Sequence, residues 1–385
     1  MFVTALELTN FRNYPEANIA LTSGVNVFVG SNGQGKTNLV EAVEYLSTAS
    51  SHRVSGVVPL IRAGFDSALV RARVRAGVDD DRELLLELEI AQGRQNQARL
   101  NRGPLPRPRD IVGMLRTVVF SPMDLAIVRG DPSDRRRWID SLIVTRWPRM
   151  AGVKQDFDKV LKQRNALLKG MSGKRFNDGG GADDDITLQI WNEQLAAVGA
   201  ELLHARLDTL ADVRPFAQRA YASIAPVNNE IEAHYKSAVN LAGASDADDV
   251  QGELQRRLLE AMEQVRDEEI RRGVTLVGPQ RDDIELSIGS LPAKGYASHG
   301  ESWSLALALR LGGFELVRDD GTEPVLVLDD VFAELDASRR TRLADAIRHA
   351  EQVLITAAVG SDVPEFPSER RFRVEAGTVA EEGKA

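Results

Sequence analysis

Residues 25–48 read VNVFVGSNGQGKTNLVEAVEYLST, and the reading of this stretch decides the fold. Residues 25–29 form a short β-branched run that suits a buried strand. Gly30-Ser31-Asn32-Gly33-Gln34-Gly35-Lys36-Thr37 then matches G-x-x-x-x-G-K-[ST], the phosphate-loop pattern. After it, Leu39, Val40, Val43 and Leu46 recur at the spacing of a helix with one buried face. The glycines permit positive φ and keep β-carbons away, so successive backbone N–H groups from Gly30 to Gly35 can cup phosphate oxygens. The helix N-terminus adds a favourable dipole. Lys36 supplies a cation and the Thr37 hydroxyl a ligand for Mg²⁺. Strand, loop and helix in this order disfavour an incidental Gly-rich turn, and the stretch predicts a nucleoside triphosphate site.

A phosphate loop needs an acid at a neighbouring strand end. Residues 325–328, Val-Leu-Val-Leu, form an apolar strand that closes on Asp329-Asp330. Asp329 is placed to hold Mg²⁺, and Asp330 to orient or deprotonate an attacking water. Two acids after a hydrophobic strand otherwise mark a turn; the upstream loop favours the functional reading.

The chain has 385 residues, enough for two or three domains. It lacks cysteine, which excludes disulfides, zinc-thiolate sites and cysteine nucleophiles. No apolar run approaches the roughly 18 residues of a membrane span, and a cytoplasmic setting without membrane contact is expected. A net charge of −9 argues against a protein coated with basic residues, so nucleic acid must be met by local clusters. Two are available: Arg94, Arg99, Arg102, Arg107 and Arg109 in one loop, and Arg135-Arg136-Arg137 at a helix start preceded by Asp131-Pro132. The first has few acids nearby and ranks higher as a DNA contact; the second has Asp131 and Asp134 as competing partners.

Strand-like runs at 68–74, 84–90 and 117–120 suggest an antiparallel sheet and a further buried strand. The character then turns helical. Apolar spacing predicts helices from about 153 to 170, from 186 to a break at Pro215, and from 248 to 272. Between the first two lies GMSGKRFNDGGGADDD, residues 170–185, a Gly- and Asp-rich tip. The expected fold is α/β, a P-loop ATPase head with a mixed sheet, interrupted by an α-helical arm domain. Residues 1–122 and 273–385 form the head, and residues 123–272 the insertion.

Further pieces carry a family resemblance: LTNFRNY at 8, SHR at 51, IVRGDPSDRRRWID at 127, VLKQRNALLK at 160, VGPQRDD at 277, YASHGE at 296 and LDDVFAELD at 328. In this order and spacing, and over nearly the whole chain, they resemble the ABC-type ATPases of the SMC-like branch, and within it the RecF family. The resemblance implies a signature motif containing Ser298 and Gly300 that contacts ATP held by a second protomer. It implies that Asp336 is the D-loop acid crossing the same interface, and that Arg12 touches the nucleotide phosphates. It further implies an ATP-dependent homodimer with slow hydrolysis that binds gapped DNA at single-strand/double-strand junctions. Such a protein works with RecR, and with RecO and RecA in the same pathway, to load RecA at gaps and stalled forks and to support SOS induction. His52, in the SHR piece, reads alone as a surface histidine. Gln280 stands where the family usually has His, so no acid–base role carries over to it. Ser302-Trp303-Ser304 replaces a more basic continuation, no Q-loop glutamine is evident, and Thr356 lies near the position of the switch histidine in transporter ATPases.

The main rival is a P-loop kinase or other small-molecule phosphotransferase, which would carry an arginine lid and need neither Ser298 nor a dimer. A GTPase is disfavoured by the lack of an Asn-Lys-x-Asp segment. A structural SMC protein would have arms hundreds of residues long.

Overall fold

The computed structural model describes residues 1–382 apart from 52, 55, 175–181, 226, 227 and 229. His52 and residues 175–181 of the expected tip at 170–185 therefore lie outside the described residues. In chain order the first elements are β1 (Phe2–Phe11), β2 (Tyr14–Ala20), β3 (Gly24–Val29), α1 (Lys36–Thr48), β4 (Ser67–Gly77), β5 (Asp80–Ala91), β6 (Gln97–Leu100), β7 (Gly103–Pro104) and β8 (Thr117–Phe120). Then come α2 (Leu125–Arg129), α3 (Pro132–Arg146), α4 (Met150–Lys174), α5 (Ala182–Ile224), β9 (Ile231–Lys236), α6 (Val250–Gln264), α7 (Arg266–Arg272), β10 (Asp283–Ile288), β11 (Leu291–Pro292) and α8 (Ala293–Tyr296). The chain finishes with α9 (His299–Asp319), β12 (Val325–Asp329), α10 (Ala337–Ile347), β13 (Gln352–Ala357), β14 (Arg370–Glu375) and β15 (Thr378–Glu381).

These elements divide into two compact units. The first holds Met1–Leu125, Pro215–Glu230 and Ala297–Ala385; the second holds Ala126–Arg214 and Ile231–Tyr296. Residues 215–230 and 273–296, which the sequence reading assigns to the insertion and to the head respectively, thus pack in the first and the second unit.

The first unit is built on two sheets. One is antiparallel, ordered β2-β1-β4-β5-β6-β7, and the other is mixed, ordered β15-β14-β3-β13-β12-β8. In the mixed sheet β3, β8, β12, β13 and β14 run parallel and only β15 is reversed. The register sets Asp329 opposite Thr356 and Thr356 opposite Phe28, so the acids and the loop after β3 emerge at the same sheet end. That end, beyond the carboxyl ends of parallel strands, is where open α/β sheets bind ligands. One apolar cluster joins Leu6, Leu8, Val70 and Leu88 of the first sheet, Leu39, Val43 and Leu46 of α1, and Val327 and Leu354 of the second. Helix α1 is therefore covered on more than the single face its apolar spacing suggests. Arg71, Arg73 and Arg75 alternate along the other face of β4 and pair with Glu7, Glu87, Glu83 and Asp81.

In the second unit α4 and α5 lie antiparallel: Phe157 stands against Gly199, and Arg164 Nε donates to Asn192 Oδ1 at 2.8 Å. Arg164 is buried and also pairs with the buried Glu269, 2.5 Å away, and donates to Thr275 Oγ1 at 2.8 Å. Asn165 Oδ1 accepts from the Thr275 backbone N–H at 2.8 Å. The VLKQRNALLK piece is thus explained by polar locking.

Three local expectations need correction. Helix α5 does not break at Pro215 but continues to Ile224. Proline removes one helical hydrogen bond, and the turns beyond it pack closely: a Cβ on Gly312 would lie 2.6 Å from the Ala217 nitrogen. The helix expected over 248–272 is two, α6 capped by Asp249 and α7, meeting at Val265 with φ −106°. The inserted segment is also not purely helical, because β9 pairs antiparallel with β10 in a three-stranded sheet.

Candidate nucleotide site

The phosphate loop connects β3 to α1. Gly33 and Gly35 take φ of +81° and +114°, the latter as N-cap of α1, which a residue with a Cβ adopts only under strain. Gly30 is needed for space, since a Cβ there would stand 2.2 Å from the Val374 carbonyl oxygen of β14. Ser31, Asn32 and Gly33 are exposed. Gln34 turns elsewhere. Its Oε1 accepts from the Ala376 N–H at 2.6 Å, and its carbonyl accepts from Asn13 Nδ2 at 2.9 Å. Tyr14 Oη donates to the Gly35 carbonyl at 3.0 Å. The loop is thus braced by the β1–β2 turn and by the β14–β15 turn, and within it the Gly30 N–H donates to the Ala357 carbonyl at 3.2 Å and the Gln34 N–H to the Ser31 carbonyl at 3.4 Å.

Lys36, the first residue of α1, is buried and donates to the Ser31 carbonyl at 3.3 Å, so its ammonium lies back over the loop. Thr37 Oγ1 donates to Asp329 Oδ1 at 3.0 Å, and Thr356 Oγ1 donates to the same oxygen at 2.6 Å. Thr356, on β13, therefore supports the first acid and the second together. It also receives the Asp330 N–H at 2.9 Å on its hydroxyl and at 3.2 Å on its carbonyl.

Asp330 sits at φ +51°, and its Oδ1 is buried without a hydrogen-bond partner. Burial pushes its carboxyl up from the usual range, Lys36 pulls it back, and the charge of Asp329 raises it further. A buried carboxylate oxygen with nothing to bond, beside a lysine and a hydroxyl-supported aspartate at a helix N-terminus, fits a polyphosphate, its divalent ion and a reacting water. Among the described residues no group of three or more His, Asp or Glu could hold a metal alone. A metal at Thr37 and Asp329 would need phosphate oxygens to complete its shell, as such sites use.

Arg12 is held by protein groups next to α1. Its Nε donates to Glu41 Oε2 at 2.8 Å and its Nη1 to the Pro59 carbonyl at 2.8 Å. Glu41 is buried on α1 and also accepts from Ser51 Oγ at 2.6 Å and Arg53 Nη1 at 3.0 Å. These donors hold its carboxyl below the usual range against the opposing effect of burial. Sequence reasoning missed Glu41 because the apolar spacing of α1 leaves it on the solvent side. It also missed Asn13, which joins Gln34 to Asn38 through Asn38 Nδ2 to Asn13 Oδ1 at 2.8 Å.

Ser298, Gly300 and Asp336 form a second group. Ser298 caps α9: its Oγ accepts from the Glu301 N–H at 3.2 Å, and Glu301 Oε2 accepts from the Ser298 N–H at 2.9 Å. Asn228 Nδ2 donates to Glu301 Oε1 at 3.2 Å. Asp336 caps α10, accepting from the Arg339 N–H at 2.9 Å.

The two arginine clusters fare differently. Arg135 is buried and bidentate to Asp283 at 2.6 and 2.9 Å, Arg136 Nη1 donates to the Asp282 carbonyl at 2.6 Å, and Arg137 pairs with Asp134 at 3.3 Å. In the other cluster Arg107 pairs with Asp110 at 3.0 Å and Arg94 with Glu89, while Arg99 and Arg102 stand exposed around the turn between β6 and β7. Gln280 donates to the Val277 carbonyl at 2.8 Å within the second unit, and its buried Oε1 has no partner.

The family model of the RecF/RecN/SMC N-terminal domain matches residues 2–369. The DNA replication and repair protein RecF of Cutibacterium acnes is 62% identical over 387 residues, covering 98% of this chain and 98% of its own. The protein of the same name from Streptomyces avermitilis is 53% identical over 380 residues, covering 98% and 99%. A solved structure of the recombination mediator protein RecF with ATP, placed in the RecFOR pathway, superposes with a TM-score of 0.87 at 27% identity, covering 99% of this chain and 98% of that one. A Pyrococcus furiosus Smc head domain gives 0.53 at 16% identity, a likeness of fold alone. The fold is that of an ABC-type ATPase head with a mixed sheet and a helical insertion.

Proposed function

Because the chain belongs to the RecF/RecN/SMC N-terminal domain family, we propose that it is an ATP-binding, slowly hydrolysing DNA-repair switch that dimerises around ATP and helps load RecA at single-strand gaps and stalled forks. Gly30 to Thr37 cradle the phosphates, with Lys36 as principal cation. Thr37 and Asp329 hold Mg²⁺, which supplies charge neutralisation across the phosphate oxygens when bound. Asp330 positions a water and takes its proton. Ser298, Gly300 and Asp336 serve the nucleotide of a second protomer, where the N-terminus of α9 adds its dipole and N–H groups. Arg12, held by Glu41, touches the nucleotide phosphates. The first unit is the ATP-binding head and the second its arm. DNA is the macromolecular ligand, RecR the direct partner, and RecO and RecA act in the same pathway, within the cytoplasm.

The observation that carries this reading is the unpaired, buried Asp330 oxygen next to Lys36, Thr37 and Asp329. The names borne by the full-length relatives and the ATP complex of a similar structure support the choice of nucleotide and pathway. No helix among the described residues is long and apolar enough to cross a membrane. The test is the ATPase rate against protein concentration, with and without gapped DNA. The proposal expects a low rate that rises more than linearly with concentration and is stimulated by gapped DNA. A rate strictly proportional to concentration and indifferent to DNA would leave a monomeric phosphotransferase in its place.

A further inference from the structure

The turn that caps α9 and the segment that caps α10 are stitched together within one chain. Arg339 lies in the first turn of α10, and its Nη1 stands 3.1 Å from Asp336 Oδ2 in addition to the backbone bond between these residues. An exposed ion pair of this kind contributes little alone. The same guanidinium, however, covers Gly300: a Cβ built there would lie 2.8 Å from Nη1 and 3.2 Å from Nη2. Glycine at 300 gives the arginine room for this approach without any positive φ, and a Cβ there would push the flexible end of Arg339 off the turn. The same two segments also approach each other where His299 Nε2 lies 3.9 Å from Glu334 Oε2. A third contact steadies the α9 turn, from Asn228 to Glu301. Only a planar fork can lie flat on a glycine while bonding a carboxylate at its edge; a lysine ammonium is a point charge and cannot do both.

We propose that Arg339 is a positioning residue of the composite ATP site: it fixes residues 298–300 and Asp336 relative to each other, so that both reach the partner protomer's nucleotide as one preformed piece. The inference rests on the composite-site reading above. Its physical content is preorganisation. Without the stitch, two segments must be ordered at the moment of association, and that cost weakens the ATP-bound dimer but not the binding of ATP within a protomer. Arg339 is partly exposed on α10, with a side chain 30% accessible, so its replacement does not open the core.

The experiment compares the full-length parent with Arg339→Gln and Arg339→Lys. Dilute protein is titrated with a fluorescent ATP analogue, dimers are measured by sedimentation velocity with ATPγS, and hydrolysis is followed against protein concentration. In Arg339→Gln the nucleotide affinity and melting temperature stay at parent values. The dimer dissociation constant rises about tenfold, from the lost preorganisation. The protein concentration for half-maximal hydrolysis shifts with it, and the plateau rate recovers at high concentration, which a damaged fold or a lost catalytic group would not allow. Arg339→Lys falls between the two. A parent that dimerises with ATPγS while Arg339→Gln dimerises equally well overturns this inference and spares the composite site. A parent that stays monomeric overturns the composite site and the inference together.

Discussion

The phosphate loop and the α9 turn are both helix N-termini in the same unit, yet they treat their polar groups in opposite ways. At the α9 turn every named group is answered locally: Ser298 and Glu301 satisfy each other, and Asn228 takes the remaining carboxylate oxygen. At the phosphate loop the scaffold is braced by Asn13, Tyr14 and Ala376, and one carboxylate, Asp330, is buried with an oxygen left unbonded. Leaving a buried polar atom unpaired costs stability, and such costs persist where function requires them. On the proposed reading, the difference separates a surface that must be sound on its own before a partner arrives from a pocket held ready for a ligand.

The sharpest way to break this comparison is Asp330→Asn. If the unpaired carboxylate serves the water, hydrolysis should fall about a thousandfold, within the range of general-base contributions. Nucleotide binding should persist, because Thr37 and Asp329 are untouched. The sign of the stability change is also fixed. Because the folded-state carboxyl is raised by burial, the ionised group destabilises the fold above that raised value, and the penalty is relieved as pH falls through it. The neutral asparagine should therefore melt higher than the parent at neutral pH and lose this pH dependence. A variant with parental rate and lower melting temperature would make Asp330 a turn residue.

Next in size is Lys36→Met. The loop would lose its cation against a polyanion, and the Ser31 carbonyl its donor. A lost charge-assisted bond predicts an affinity about a hundredfold weaker. Isothermal titration with Mg-ATP decides it, and unchanged affinity would remove the phosphate loop from the site.

Ser298→Arg tests the other side. It deletes the cap of α9, which costs about 1 kcal/mol of stability, and places a bulky cation where the partner's nucleotide is expected. Dimers with ATPγS should be lost by sedimentation while the protomer keeps its nucleotide affinity. Normal dimers would show that this turn is only a capped helix start.

What could be read in the sequence follows the range of the interactions. The phosphate loop, its strand and its helix were legible because the constraint is local: glycines at fixed offsets and a change of period from strand to helix. Asp329 and Asp330 were legible by their place after an apolar strand. Glu41 was not, because its burial depends on the antiparallel sheet that covers the other side of α1, and its partners Arg12 and Arg53 come from separate loops. The purpose of the Arg135–Arg136 pair was hidden for the same reason: its acceptors, the Asp283 carboxylate and the Asp282 backbone carbonyl, lie far along the chain and meet it only through the packing of α3 and β10. The continuation of α5 past Pro215 likewise rests on packing at Gly312, not on propensity.

The smallest expected effect concerns DNA, and it extends the comparison from helix ends to arginine clusters. Arg135 and Arg136 are committed to internal acceptors, so replacing them should lower the melting temperature and reveal little about DNA. Arg99 and Arg102 are exposed at the β6–β7 turn, where Arg102 takes φ of +70°. Affinity for a polyanion depends on the phosphates neutralised locally and not on the net charge of −9. An ATP-bound dimer would present two such turns, so binding should strengthen with ATP and fall steeply with salt in either state. Base preference should be weak, since phosphate contacts carry no direct sequence readout. Changing Arg99 and Arg102 together to Ala should reduce the log–log salt slope by about one to two and weaken gapped-DNA binding several-fold at low salt, with the fold unaffected. Fluorescence anisotropy across a salt series in the ATP-bound state measures both. An unchanged slope would take this turn off the DNA surface and leave the two clusters alike in serving only the protein.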